Sequence, residues 1–374
     1  MATASTIALD HQAQLIAISQ TATSRSLNIW QQMNPDQLDD SWAGLAPALM
    51  TQVNAAQFAG VSTSNAYVTS LSDEYGFNAD SGRINSRAFL GVDGSGRSNE
   101  SLLHGAVTTT KTATGAGFGR TESFQAGSVF LAAMLKTVLA DISRSSDLTA
   151  ATGQGYTRYV RVINPGACSR CAILAGISSY KTAFRRHPAC RCGTAPIVNL
   201  ETGEAKVPEG LHRSADDYFE SLSESEQNRV FTKGGAEAIR SGARAQDVVS
   251  ARRGASGITT SRGIGRRTVP NSGRRITRDR IGKNLDGSPI MGYTTTEGTY
   301  RGAFRGRNRL MPETIISLTD DLPTRQILLR DAGYIQPTIA DFTNSDWIRI
   351  QQAERAADSD AAQAFYRSLG ITQG

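Results

Sequence analysis

The chain has 374 residues, 39% of them apolar, and a formal charge of +6 with a pI near 9.2. That length and apolar content exclude a fibrous or wholly disordered polymer and leave room for two or three folded units with a sizeable core. The most apolar stretch, Ser128 to Ile142, is broken by Lys136 and is shorter than the ~20 residues a bilayer crossing needs, so no membrane span is expected. The opening residues lack a basic start followed by an apolar run, which predicts no secretory signal and a protein kept in a cytoplasm.

From Ser5 to about Asn34, Leu15, Ile18, Ala22 and Leu27 recur at helical spacing until Asn34-Pro35 ends the run. A second helix is predicted over 38–71, with Trp42, Leu45, Leu49 and Val53 on one face and Pro47 bending its first turn. Together they predict a helical hairpin over residues 1–72. Residues 73–150 read as a loop-rich segment followed by an amphipathic helix. Gly, Ser and Asn dominate 74–119, with a turn at Asp93-Gly94-Ser95-Gly96 and a short helix near Ser101 to His104. Glu122 to Arg144 then places Leu131, Met134, Leu135, Val138, Leu139 and Ile142 on one wide apolar face.

Within 151–254, Tyr156 to Ile163 alternates like a strand and ends at Asn164-Pro165-Gly166, and Cys190 to Val198 is a second strand able to pair with it. Ser214-x-x-Asp217 and Ser223-x-x-Glu226 read as capping boxes that open short helices, and a further helix pair ends near Arg253. From Arg252 to Arg309 there are 14 Arg and Lys against three acids, with little apolar periodicity. Residues 255–310 therefore predict an extended basic arm or linker. In 311–374, Pro323 to Ala332 and Ala356 to Leu369 predict helices closed by Gly333 and Gly370.

All four cysteines lie between 168 and 192. In a chain without a secretion signal such clustering reads first as metal ligation. Cys168-Ser-Arg-Cys171 puts two thiolates on one tight turn, and His187-Pro-Ala-Cys190 repeats the spacing before Cys192. Five donors compete for four positions. Cys190 and Cys192 on one strand face would stand ~6.6 Å apart, so one of them is expected to be the fourth ligand, and the sequence leaves open which. With no open position evident the site reads as structural, and zinc is the expected ion, although sulfur-rich ligation also admits iron. The alternatives are reduced thiols packed in a core with His187 in a turn, or a disulfide pair in an extracellular particle.

At these residues the sequence resembles the phage Mu protein F-like minor head proteins. Their C-x-x-C, Leu/Ala-Gly step and H-P-x-C-R-C correspond here to Cys168, Cys171, Ile173-Leu174-Ala175-Gly176 and His187-Pro188-Ala189-Cys190-Arg191-Cys192. Asp217-Tyr218-Phe219 and Phe231-Thr232-Lys233-Gly234-Gly235-Ala236, through Ala251-Arg252-Arg253-Gly254, are similar to the continuation in relatives from phages of actinobacteria. The resemblance is specific over Tyr156 to Gly254, and the chain beyond departs from it. It implies a minor capsid protein present in a few copies, associated with the portal and with capsid or scaffold proteins in the virion interior, and in contact with packaged double-stranded DNA.

For DNA, the candidate contacts in the arm are Arg266, Arg267, Arg274, Arg275, Arg301, Phe304, Arg305 and Arg307, because arginines track phosphates while aromatic rings stack on bases. A solubilising or capsid-contacting linker reads equally from the same residues. The alternative function is a capsid maturation protease acting on scaffold or capsid precursor. Histidines stand only at 11, 104, 187 and 212, and neither a G-x-S-x-G elbow nor an H-E-x-x-H helix is present, so the sequence names no catalytic residue. The expected fold is thus mainly α, with a small zinc-stabilised α+β module and the basic arm.

Overall fold

The N-terminal apolar repeat forms helix α1 (Ala4–Trp30) in the computed structural model, which describes residues 3–77, 83–198, 207–252, 279–283, 287–295 and 309–335. The hydroxyl of Thr3 caps it by accepting from the Thr6 N–H at 3.3 Å. The helix predicted over 38–71 is two helices, α2 (Leu38–Val61) and α3 (Ser64–Tyr75). They part at Ser62-Thr63, whose hydroxyls donate to the carbonyls of Ala59 (3.1 Å) and Gly60 (2.7 Å), a local alternative to the helical ladder.

The segment expected to be loops contains α4 (Asn99–Leu103) and an eleven-residue helix, α5 (Gly105–Gly115). Its run of β-branched threonines has low helix propensity, but Ala106, Val107 and Thr110 are buried. Tertiary packing therefore decides. Next comes α6 (Arg120–Gly153), longer at both ends than its apolar stripe predicted because Ser and Thr continue it as far as Gly153. By length and composition alone α6 could cross a membrane, and most of its apolar window is buried against the rest of the protein.

Two apolar clusters hold this part together. Trp30, Trp42, Leu49, Val53, Leu103, Val107, Leu131 and Leu135 form one among the helices. The other joins Ala4, Ala8, Tyr67, Val68 and Leu71 to strand residues Val160, Val162, Ala195 and Ile197. Those strands are β1 (Arg158–Val162), β2 (Ile177–Ser179) and β3 (Gly193–Ile197), antiparallel in the order β2-β1-β3. Val160 lies opposite Ile177 on one side and Ala195 on the other. The predicted pairing of first and second strands is present. β2, three residues long, carries too little pattern to be read from sequence. One helical turn, α7 (Ser169–Ala172), follows β1.

The chain divides into two units after Tyr218, within α8 (Ala215–Glu220). The second unit holds α9 (Glu224–Phe231), α10 (Lys233–Arg240), α11 (Ala245–Ala251), the hairpin β4 (Asp279–Lys283) with β5 (Pro289–Gly292), the short pair β6 (Thr294–Thr295) with β7 (Arg309–Leu310), and helices α12 (Pro312–Leu318) and α13 (Leu322–Asp331). The capping box at Ser223 forms, its N–H donating to Glu226 at 3.0 Å. Gly333 follows α13 with φ +75°, as the sequence predicts for a helix end.

Part of the predicted basic arm is therefore β structure. Thr295 is buried and donates its hydroxyl to the Ala251 carbonyl at 2.5 Å, a tie that polar composition alone does not reveal. The rest of that segment and the helix predicted over 356–369 lie outside the described residues.

Candidate metal centre

The turn Asn164-Pro165-Gly166 after β1 leads into α7, where Cys168 is the N-cap and the Cys171 N–H donates to the Cys168 carbonyl at 2.9 Å. This brings both sulfurs of the C-x-x-C to one side of a single turn. The return loop mirrors it, the Cys190 N–H donating to the His187 carbonyl at 3.2 Å. Ala189 adopts φ 58° there, a left-handed conformation that tightens the His187-Pro-Ala-Cys190 turn.

All five predicted donors come together. Cys168 Sγ lies 3.1 Å and Cys171 Sγ 3.4 Å from His187 Nε2, and Cys171 Sγ lies 3.4 Å from Cys190 Sγ. Cys168, Cys171 and His187 form one group with donor atoms within 4.8 Å of one another, and Cys171, Cys190 and Cys192 form a second. Four donors on one tetrahedral zinc stand about 3.5 to 3.8 Å apart, given bonds of ~2.0 to 2.3 Å, so the spacing fits an ion. No disulfide links the cysteines. Cys168 is exposed and the other three are buried.

The ionisation of the cluster shows why it suits a cation. Hydrogen bonds from Cys171 and then from His187, working against burial, hold Cys168 down to about 3, and His187 rises to about 8 chiefly through its contact with Cys168. Cys190 is also held low by Cys171 and Cys192. Cys171 is driven high because it must share protons with Cys168, Cys190 and Cys192. The Cys171 contact pulls Cys192 down, but Cys190 and burial outweigh it and leave Cys192 at about 11. Packed sulfurs cannot all carry charge, so the cluster shares protons. A divalent ion would displace the shared protons.

The loop is held from outside by residues the sequence reading did not single out. Thr137, Asp141 and Arg144 lie along one stripe of α6, at i, i+4 and i+7. Thr137 Oγ1 accepts from the Ala189 N–H at 2.8 Å. Arg144, buried, donates through Nη1 to the carbonyls of Cys190 (3.2 Å) and Cys192 (2.9 Å) and through Nη2 to Asp141 (2.5 Å). Asp141 also accepts from Arg186 Nε at 2.6 Å. From α1, Gln12 Nε2 donates to the Arg191 carbonyl at 2.6 Å. An arginine in the buried stripe of an apolar helix is the one sequence signal that could have marked this support.

The other candidates fare differently. Arg266, Arg267, Arg274, Arg275, Arg301, Phe304, Arg305 and Arg307 lie outside the described residues. His104 meets Trp42 edge-on and His212 meets Tyr218 edge-on, while His11 is buried with Nε2 3.1 Å from both carboxylate oxygens of Asp147.

Fold and site together define a mainly helical protein with a Cys/His cluster able to hold a metal ion. Comparison with family models, curated proteins and solved structures returns no match.

Proposed function

We propose that this chain is a minor head protein of the phage Mu protein F-like type, with a structural zinc in the Cys/His cluster. The observation that carries the reading is the gathering of Cys168, Cys171, His187, Cys190 and Cys192, the residues of the resemblance, into two adjoining donor groups that share Cys171. A zinc ion would bridge the two turns. Borderline-soft sulfur and imidazole donors in a largely buried, closed setting suit it better than a hard cation.

In this reading the protein docks at the portal, contacts capsid or scaffold proteins inside the head and touches packaged DNA. It acts by binding rather than by catalysis. Support for the DNA contact comes from residues 158–192, a stretch without an acid in which Arg158, Arg170, Lys181, Arg185 and Arg191 are exposed. The arm residues Arg266 to Arg307 would extend the same polycationic character.

Two measurements test the proposal. Elemental analysis of the purified chain should give one zinc per molecule, and co-expression with the portal protein from the same genome should give a complex that survives gel filtration. Separate elution would reject the portal role. Replacing Arg266, Arg267, Arg274, Arg275, Arg301, Arg305 and Arg307 by Gln should flatten the fall of DNA affinity with rising salt, because each lost phosphate contact removes about 0.9 from the slope. An unchanged slope would reject the arm's part in it.

A further inference from the structure

The five donors do not make one tetrahedron. A single tetrahedral ion brings its four donors to within about 3.8 Å of one another, given bonds of ~2.3 Å. Cys168, Cys171 and His187 form one group and Cys171, Cys190 and Cys192 another, and among the described residues no four donors lie within 4.8 Å of each other. The cluster is therefore two three-donor faces hinged on one sulfur. Cys171 Sγ lies 3.4 Å from His187 Nε2 on one side and 3.4 Å from Cys190 Sγ on the other. A thiolate has lone pairs enough for two ions, and two ions sharing one would stand roughly 3.5 to 4 Å apart, an ordinary two-metal spacing.

Charge points the same way. One divalent ion among four thiolates and a neutral imidazole would leave a double negative charge in a place where three of the sulfurs are buried, so protons would have to stay on sulfur. Two divalent ions cancel the four thiolates and displace every shared proton. The faces differ in access. Cys168 is exposed, whereas Cys171, Cys190 and Cys192 are all buried.

We infer that the cluster is a binuclear centre, with a sheltered divalent ion on Cys171, Cys190 and Cys192, an exchangeable one on Cys168, Cys171 and His187, and the Cys171 thiolate bridging them. Each ion completes its shell with a small exogenous ligand such as water. This rests on the reading that a metal occupies the cluster and deepens it. The zinc retained through purification is the sheltered ion, and the second enters when metal is supplied.

Cobalt(II) is the probe, titrated into the purified, metal-stripped full chain under reducing conditions. Its visible and thiolate charge-transfer bands count bound ions, and its paramagnetic resonance reports whether two of them share a ligand. The bands should rise to two equivalents. The resonance should grow to one equivalent and then fall as the second ion arrives, because ions joined through one sulfur couple antiferromagnetically. His187→Ala should end the titration at one equivalent with the resonance retained.

Bands that stop at one equivalent in the wild-type chain would overturn the second site and leave the single-zinc reading standing. Two equivalents with a resonance that grows throughout would overturn the Cys171 bridge. Uptake of no cobalt at all would reject the metal reading itself, a result distinct from the other two. All three are read on the wild-type chain, so the test holds even if the His187 variant fails to fold.

Discussion

Asp93 concentrates an unusual number of interactions on one carboxylate. It accepts from the Ser95 N–H and hydroxyl, from the Arg97 N–H and from the Arg97 guanidinium, at 2.7 to 3.0 Å. Burial pushes its pKa up, but these bonds together bring it down to about 2. A folded-state value below the unfolded ~3.9 means stability that is complete above about pH 4 and is lost as pH falls toward 2. The Arg97 side chain is 67% exposed, so solvent screening trims the contribution to about 1 kcal/mol. Asp93→Asn should cost about that much at pH 7 in urea denaturation, and the gap from wild type should close between pH 4 and 2. A pH-independent difference would show that the hydrogen bonds, not the charge, carry the loop. At this scale the Cys/His cluster is legible from sequence because thiols and an imidazole at fixed spacing have few other uses. Thr137, Asp141 and Arg144 are not, because polar residues on a long helix read equally as a solvated face, and only the loop packed against them shows their role.

Among the elements, the approach of α5 to α6 is the most demanding. A Cβ at Gly127 would overlap the Thr110 hydroxyl and the Trp30 ring and come within 2.9 Å of the Ala106 carbonyl. Helix propensity alone favours Ala over Gly by about 1 kcal/mol, whereas overpacking a tight core costs about 1 to 3 kcal/mol. Crowding should win. Gly127→Ala is expected to lower stability in denaturant titration, and a more stable variant would mean that the helices can part without penalty. Leu135, fully buried in the same cluster, should lose about 2 to 5 kcal/mol on truncation to Ala. This contact also explains why α5 was hidden in the sequence. Its threonine run contradicts a helix locally, and burial of Ala106, Val107 and Thr110 overrides that preference. The predicted end of α6 failed for a related reason, since Ser143, Ser145, Thr149 and Thr152 return their hydroxyls to carbonyls of the preceding turn and continue the helix without an apolar stripe.

At the scale of the molecule, an ion in the Cys/His cluster would share with the apolar clusters the work of holding the first unit. The helices pack through Trp30, Leu49, Leu103, Leu131 and Leu135 without help from the cysteines. A chelator should therefore leave most of the far-ultraviolet helical signal intact, lower the melting temperature and open residues 164–192 to proteolysis. Equal protease resistance with and without chelator would deny the ion a structural part. The mainly helical class and the strand pair around the cysteines were readable from periodicity. The strands of the second unit were not, because Gly- and Arg-rich segments carry no alternation, and ties such as Thr295 to Ala251 join residues far apart in the chain.

Gln12 reaches the Arg191 carbonyl across 179 positions, and Ala4 and Ala8 belong to the same cluster as Ile197 and Leu211. The Trp30 end of α1 meets partners from helices that follow closely, whereas the Ala4–Gln12 end is completed only by strand residues near position 200. The two ends of one helix are thus sealed at different times as the chain grows. Nascent chains stalled before Cys190 should protect the Trp30 end from protease but leave residues 4–12 open, and those released after Leu211 should protect both.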